Sequence, residues 1–193
     1  MNKQVETIQY LVKAKFKNQE SRYLHTLGVV KMALQLARIH GVNEEETVLA
    51  ALLHDYCRYD TKETMLKLIT DEKIIKEIAD KDYLLHGYAA AYYLKNELKI
   101  NNEKIHQAIL NHTTGRINMS RLDEIIFISD FAEVTRNHKE AKEIRELAFK
   151  DFYQALYLTY FYQINYLEKT GKKASDLQKE LMAYYLKKKE MKK

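Results

Sequence analysis

The chain has 193 residues, of which 46% are hydrophobic and 31% charged, with no proline and only five glycines. This composition argues against both a disordered chain and a membrane-embedded one, and the shortage of turn residues excludes a β-rich fold. The formal charge is +5, but five lysines fall in the last seven residues, so the body is nearly neutral and no nucleic-acid-binding face is required. An all-α fold follows, expected as a single domain over residues 1–185 with a basic tail at 186–193.

Helical periodicity runs almost unbroken along the chain. A first amphipathic helix is expected from Glu6 to Lys17. Ser21 is the candidate N-cap of a second, which runs to His40 and stops at Gly41. Asn43, followed by Glu44, Glu45 and Glu46, starts a third whose run from Val48 to Leu53 is apolar all round and therefore central. That run is also the longest apolar stretch, far too short to cross a bilayer. Shorter helices are expected from Thr61 to Ala79, then one from Tyr83 to Leu98. Another spans Glu103 to His112 after an Asn101-Asn102 cap. Thr113 to Ser120, containing Gly115, is the clearest loop. Beyond it come a helix from Arg121 to Val134, a long aromatic-rich one to about Lys169, and a last one after Ser175.

Polar residues on stripes that ought to be buried carry the functional signal. His25 continues the stripe of Val29, Met32 and Leu36, and His86 that of Ala89, Ala90 and Tyr93. His112 closes the stripe of Ile105, Ala108 and Ile109, while Asp130 extends that of Leu122, Ile125 and Ile126. His54 and Asp55 follow directly on the most apolar helix. Any one histidine has an ordinary reading as a hydrogen-bonded core residue, but aspartate is almost never buried unpaired. The six are explained together if they converge on a divalent cation, which compensates them at once. His40, His106 and His138 act as controls, since helix ends or an off-stripe position account for them. Imidazole and carboxylate donors without thiolate favour iron, manganese or zinc over calcium or a closed structural zinc site.

The ordered set His25, His54-Asp55, His86, His112 and Asp130 resembles the HD-domain metallophosphohydrolase signature. More narrowly, it resembles the bacterial YqeK family of symmetrical bis(5′-nucleosyl)-tetraphosphatases. The segments that carry the likeness are Leu24-His25-Thr26-Leu27-Gly28-Val29, Ala51-Leu52-Leu53-His54-Asp55, Leu85-His86-Gly87-Tyr88, His112-Thr113-Thr114-Gly115-Arg116 and Ile128-Ser129-Asp130-Phe131. The resemblance implies an HD-domain helical bundle with a metal centre among its central helices, usually iron as one or two ions. The implied activity is cleavage of diadenosine tetraphosphate to two ADP, by attack of hydroxide generated on the metal. By residue matching, His25, His54, Asp55 and Asp130 would hold one metal. His86 and His112, with Asp55 bridging, would hold a second or contact phosphates.

Asp55, Arg58, His86 and His112 are the candidate catalytic residues. Substrate contacts are expected from His25, His86, His112, Thr113, Thr114, Gly115, Arg116, Phe131 and Arg136. Two positions depart from the family's pattern: Arg58 stands where lysine is expected, and no proline precedes Arg136. The expected partners are the dinucleoside polyphosphate and its ADP product, with no membrane and no required nucleic acid, in the cytoplasm; a homodimer is left open.

Plainer readings compete for several residues. Cys57, the single cysteine, reads as a small buried hydrophobe in a reducing compartment. The stripe Phe149, Phe152, Tyr153, Leu156, Tyr157, Tyr160, Ile164 and Leu167 reads as core packing rather than a base platform. Tyr23, Tyr56 and Tyr88 are the stacking candidates. Rival functions are an HD phosphohydrolase for another nucleotide, a nucleotide sensor without turnover, and a helical adaptor whose basic tail binds RNA.

Overall fold

A computed structural model describes residues 3–191, so Met1, Asn2 and the tail residues Lys192 and Lys193 lie outside the described residues. Among the described residues every regular element is a helix. In order these are α1 (Lys3–Lys15), α2 (Glu20–His40), α3 (Glu44–Leu53), α4 (Lys62–Leu68), α5 (Glu72–Ile78) and α6 (Asp82–Asn96). They continue with α7 (Glu103–Asn111), α8 (Arg121–Ala132), α9 (Lys139–Lys150), α10 (Phe152–Lys169) and α11 (Asp176–Glu190).

The short helix α3 is the hub, packed against α1, α2, α6, α7 and α8. Its Leu49 to Leu53 run is buried on every side, as an all-apolar helix requires. α2 also packs on α8, and α7 on both α6 and α8, so one layer of helices encloses the C-terminal end of α3. α9, α10 and α11 form a second group that reaches this core through α8.

Local chemistry sets the boundaries. Asn43 accepts a hydrogen bond from the backbone of Glu46 at 2.9 Å and starts α3, and Gly41 ends α2 with φ of 66°. Ser120 and Ser175 form capping boxes with Asp123 and Gln178. Two expectations need correction. Gln19, not Ser21, is the N-cap of α2. The aromatic-rich stretch is two helices, because Asp151 leaves helical geometry (φ −144°) and its side chain caps Gln154. Within it, Phe152, Leu156, Tyr160 and Ile164 are buried, whereas Phe149 is exposed. The lysines 187–189 belong to the last turn of α11, where Lys188 lies over the rings of Tyr153 and Tyr184.

Candidate metal centre

Five helices deliver the six residues to one place. His25 projects from the second turn of α2, on the face that buries Val29, Met32 and Leu36. His54 caps α3 and Asp55 follows it as the chain turns. Adjacent helical residues diverge by about 100°, and leaving the helix at this point is what lets both face the same centre. His86 comes from α6, His112 ends α7, and Asp130 lies near the end of α8. His54 and Asp55 are buried, as are His25, His86 and His112.

The donors divide into two groups that share Asp55. His25, His54, Asp55 and Asp130 each bring a ligand atom within 4.8 Å of the others, and so do Asp55, His86 and His112. In the first group His25 Nε2 lies 3.0 Å from Asp130 Oδ1 and 3.8 Å from Asp55 Oδ2. His54 Nε2 is 3.5 Å from Asp55 Oδ2 and 3.8 Å from Asp130 Oδ1. Asp55 presents its other oxygen to the second group: Oδ1 is 3.2 Å from His86 Nε2 and 3.7 Å from His112 Nε2. The two imidazole nitrogens are 3.0 Å apart.

Hydrogen bonds at the far side of each ring decide which nitrogen faces inward. His54 Nδ1 sits 2.7 Å from the carbonyl of Ala51 and His112 Nδ1 2.6 Å from that of Ile109. A carbonyl only accepts, so in the neutral ring Nδ1 carries the proton and Nε2 offers its lone pair. His25 Nδ1 pairs with Glu133 Oε1 at 3.1 Å, a carboxylate behind a histidine that fixes the same tautomer.

The consequence is a set of lone pairs directed at one another. His25 Nε2 and His54 Nε2 are buried without hydrogen-bond partners, and both face carboxylate oxygens. Acceptor facing acceptor in a buried site requires a cation between them, either a proton or a metal ion. The residues therefore fit a divalent metal: nitrogen and oxygen donors of the correct tautomer, held from behind, with no thiolate.

The charges respond accordingly. Burial by itself would raise the Asp55 carboxyl, but the electrostatic pull of His54 and the close nitrogens of His112 and His86 hold it well below the usual carboxylate range. Asp130 is likewise lowered, burial being outweighed by His25 and His54. Burial would lower His25, yet Asp130 and Glu133 raise it. His112 is raised against its burial by Asp55. Burial and the neighbouring His112 push His86 down to about 4 despite Asp55.

The remaining expected site residues are distributed around this centre. Arg58 Nη1 lies 3.2 Å from both nitrogens of His86. Arg136 Nη2 donates to Asp130 Oδ1 at 3.3 Å. Thr113 Oγ1 is 3.2 Å from His112 Nε2, while Thr114 Oγ1 donates to the carbonyl of Gly115. Gly115 has φ of 71°, and a Cβ there would sit 2.0 Å from Tyr160 Oη, so this turn accepts only glycine. Arg116 is paired with Asp123 at 3.2 Å and would have to leave it to reach a phosphate. Phe131 packs edge-on against His138.

Of the stacking candidates, Tyr56 is buried and stacked on Tyr93, which removes it from contact with a ligand. Cys57 is fully buried, and its burial pushes the thiol up to about 12.

Two residues of the site escape sequence reasoning. Arg22 Nη1 donates to Asp55 Oδ2 at 2.5 Å, but an arginine in the first turn of a helix reads as a surface residue. Glu133 is fully buried behind His25 and also accepts from the backbone and hydroxyl of Thr135, both at 2.6 Å. Its trace in the sequence is Gly28, one turn after His25: a Cβ there would lie 2.1 Å from Glu133 Oε2.

Comparison with known proteins agrees with this geometry. Residues 22–144 match the HD domain, a span that includes all six donors. Over 151 residues the chain is 38% identical to a protein of Halalkalibacterium halodurans named bis(5′-nucleosyl)-tetraphosphatase, symmetrical; the match covers 78% of this chain and 81% of that one. The chain belongs to the HD-domain family of symmetrical bis(5′-nucleosyl)-tetraphosphatases. A Bacillus subtilis member of the same name is 36% identical over 138 residues, 71% of this chain and 74% of its own. A Clostridium acetobutylicum crystal structure, described as a predicted HD superfamily hydrolase involved in NAD metabolism, superposes with a TM-score of 0.85 at 31% identity. It covers 95% of this chain and 97% of its own. Among the described residues of the HD-domain chain, no helix is long and apolar enough to cross a membrane.

Proposed function

We propose that this chain hydrolyses diadenosine tetraphosphate symmetrically, adding one water across the central anhydride to give two ADP. The carrying observation is the pair of unpartnered imidazole nitrogens, His25 Nε2 and His54 Nε2, facing the carboxylates of Asp55 and Asp130. The names of the relatives supply the substrate class. His25, His54, Asp55 and Asp130 would hold one divalent metal, with His86, His112 and the second oxygen of Asp55 available to another or to phosphate. When bound, such an ion acidifies water to near-neutral pKa and offsets polyphosphate charge. Iron is our assignment, from the thiolate-free donor set and the family resemblance, with manganese as the alternative.

The chain's own residues do the rest. Glu133, Ala51 and Ile109 hold His25, His54 and His112 in the tautomer whose Nε2 faces inward. The departing ADP is a good leaving group and needs charge neutralisation more than protonation, a task for Arg58 beside His86 and Arg136 beside Asp130. Arg22, already on Asp55, adds positive charge at the same edge. Thr113 and the backbone around Gly115 are positioned to contact phosphate oxygens. A cytoplasmic setting fits the lone buried Cys57.

The test is product analysis by chromatography after anaerobic reloading with ferrous iron and incubation with diadenosine tetraphosphate. ADP as the sole product supports the proposal. AMP with ATP would move the point of attack to an outer phosphorus, and no turnover by metal-loaded protein would refute the assigned substrate.

A further inference from the structure

Next to the centre lies a cavity of about 360 Å³, walled by the loop after α7, the end of α10 and the start of α11. Thr113 belongs to both places: it lines the cavity, and its hydroxyl is 3.2 Å from His112 Nε2. The polyphosphate site and the cavity are therefore adjacent, separated by a single side chain.

We infer that this cavity binds one nucleoside end of the dinucleoside polyphosphate, with Tyr83, Tyr166 and Gln163 receiving the base and Lys172 and Lys173 meeting the phosphate trail. This rests on the proposed function and deepens it by naming where the base goes. The volume falls at the low end of small-ligand sites, large enough for a nucleoside and too small for the whole dinucleotide. Its walls carry two large aromatics left 54% and 67% exposed, Tyr83 and Tyr166. Exposed tyrosines facing a cavity offer stacking surfaces that suit any base.

Gln163 supplies the second, independent observation. The residue lines the cavity and its Oε1 is tucked away without a hydrogen-bond partner, so a turn of the side chain can bring the amide to a ligand without breaking a bond of that oxygen. An amide presents a donor beside an acceptor, and the Watson–Crick edge of a purine presents the complementary pair. Two lysines at consecutive positions on the same rim make the cavity suited to an aromatic group joined to an anion, which is the chemistry of a nucleotide.

The test compares the manganese-loaded wild type with Tyr166→Ala, Gln163→Leu and Gln163→Glu. Calorimetry measures binding of the non-hydrolysable β,β′-methylene analogue of diadenosine tetraphosphate, and hydrolysis is followed for the adenine and guanine dinucleotides. Tyr166 is mostly exposed and Gln163 Oε1 bonds to nothing, so these changes should leave the fold intact, which circular dichroism checks. The expected result is at least ten-fold weaker analogue binding in Tyr166→Ala and Gln163→Leu. Inhibition by inorganic tripolyphosphate, which has no base, should stay within two-fold. Gln163→Glu should shift the ratio of kcat/KM towards guanine by ten-fold or more, because a carboxylate accepts from guanine's two donors but opposes adenine N1. Variants that bind the analogue within two-fold of an active wild type would overturn the cavity assignment and leave the proposed function standing. A wild type that binds the analogue through Tyr166 and Gln163 but turns nothing over would sustain the cavity and refute the hydrolysis.

Discussion

Helix α8 carries two buried acidic clusters, and they differ in how their polar atoms are satisfied. Near its start, Glu124 is buried, yet Oε1 accepts from Tyr185 at 3.0 Å and Oε2 from Arg121 at 2.7 Å. Arg121 in turn donates to Tyr153 at 3.0 Å. Near its end, Asp130 faces histidine nitrogens that have no partners. Both clusters bury charge, and burial alone would have flagged either. What separates them is completeness: the first closes on protein groups, joining α8 to α10 and α11, while the second leaves lone pairs aimed at a common point. A closed polar network is a structural tie; an open one made of metal-ligand types is a site.

The contrast makes the two clusters separable by mutation. Asp55→Ala removes the oxygen that both donor groups share and should abolish hydrolysis. A fall of at least about a thousand-fold in kcat/KM is expected, since an ion supplies several kcal/mol of transition-state stabilisation. Metal content should fall with it while circular dichroism stays helical; normal metal content would remove Asp55 from the centre. Glu133→Gln keeps the shape behind His25 but not the charge, so metal affinity should drop by about 10- to 100-fold, read by competition with a chelator. Equal affinity in the variant would make Glu133 a packing residue only.

On the other cluster the expected signature reverses. Tyr185→Phe leaves one oxygen of Glu124 without its donor and should cost about 1–2 kcal/mol in urea denaturation, with metal content intact. A loss of metal there would mean that the two clusters are coupled. The smallest effect is a pH dependence. Burial holds the Glu124 carboxyl above its usual range despite Arg121 and Tyr185. A raised carboxyl contributes stability that is present below the unfolded pKa and is lost as pH rises through the folded one. Wild-type stability relative to Glu124→Gln should therefore decline on going from acid towards neutral pH, measured by denaturation of metal-free protein. A difference that grows with pH would contradict that sign.

The open cluster was more legible in the sequence than the closed one, for a physical reason. His25, His86, His112 and Asp130 break apolar stripes at helical spacing, and a polar residue on a buried face is visible without coordinates. Glu124 and Tyr185 are 61 residues apart, and nothing in either helix marks the other as its partner. Glu133 is harder to read: it stands three residues after Asp130 on the same stripe, but a glutamate at the end of a helix has an ordinary reading as a solvated residue, and Gly28 on α2 is the sign that it is buried. Arg22 looks like any first-turn arginine until Asp55 is folded against it. Neither proline nor glycine announces the break at Asp151; an aspartate caps the new helix within a continuous aromatic pattern. The cavity beside Thr113 depends on α10, α11 and the loop after α7 meeting, which no local pattern encodes.

The central claim is that the unpartnered nitrogens of His25 and His54 are metal ligands. Anomalous diffraction from crystals grown with ferrous iron or manganese tests it most directly. The account predicts a strong peak bounded by His25 Nε2, His54 Nε2, Asp55 and Asp130. A metal-loaded crystal with no peak there, or with its peak beside Glu124, would contradict it.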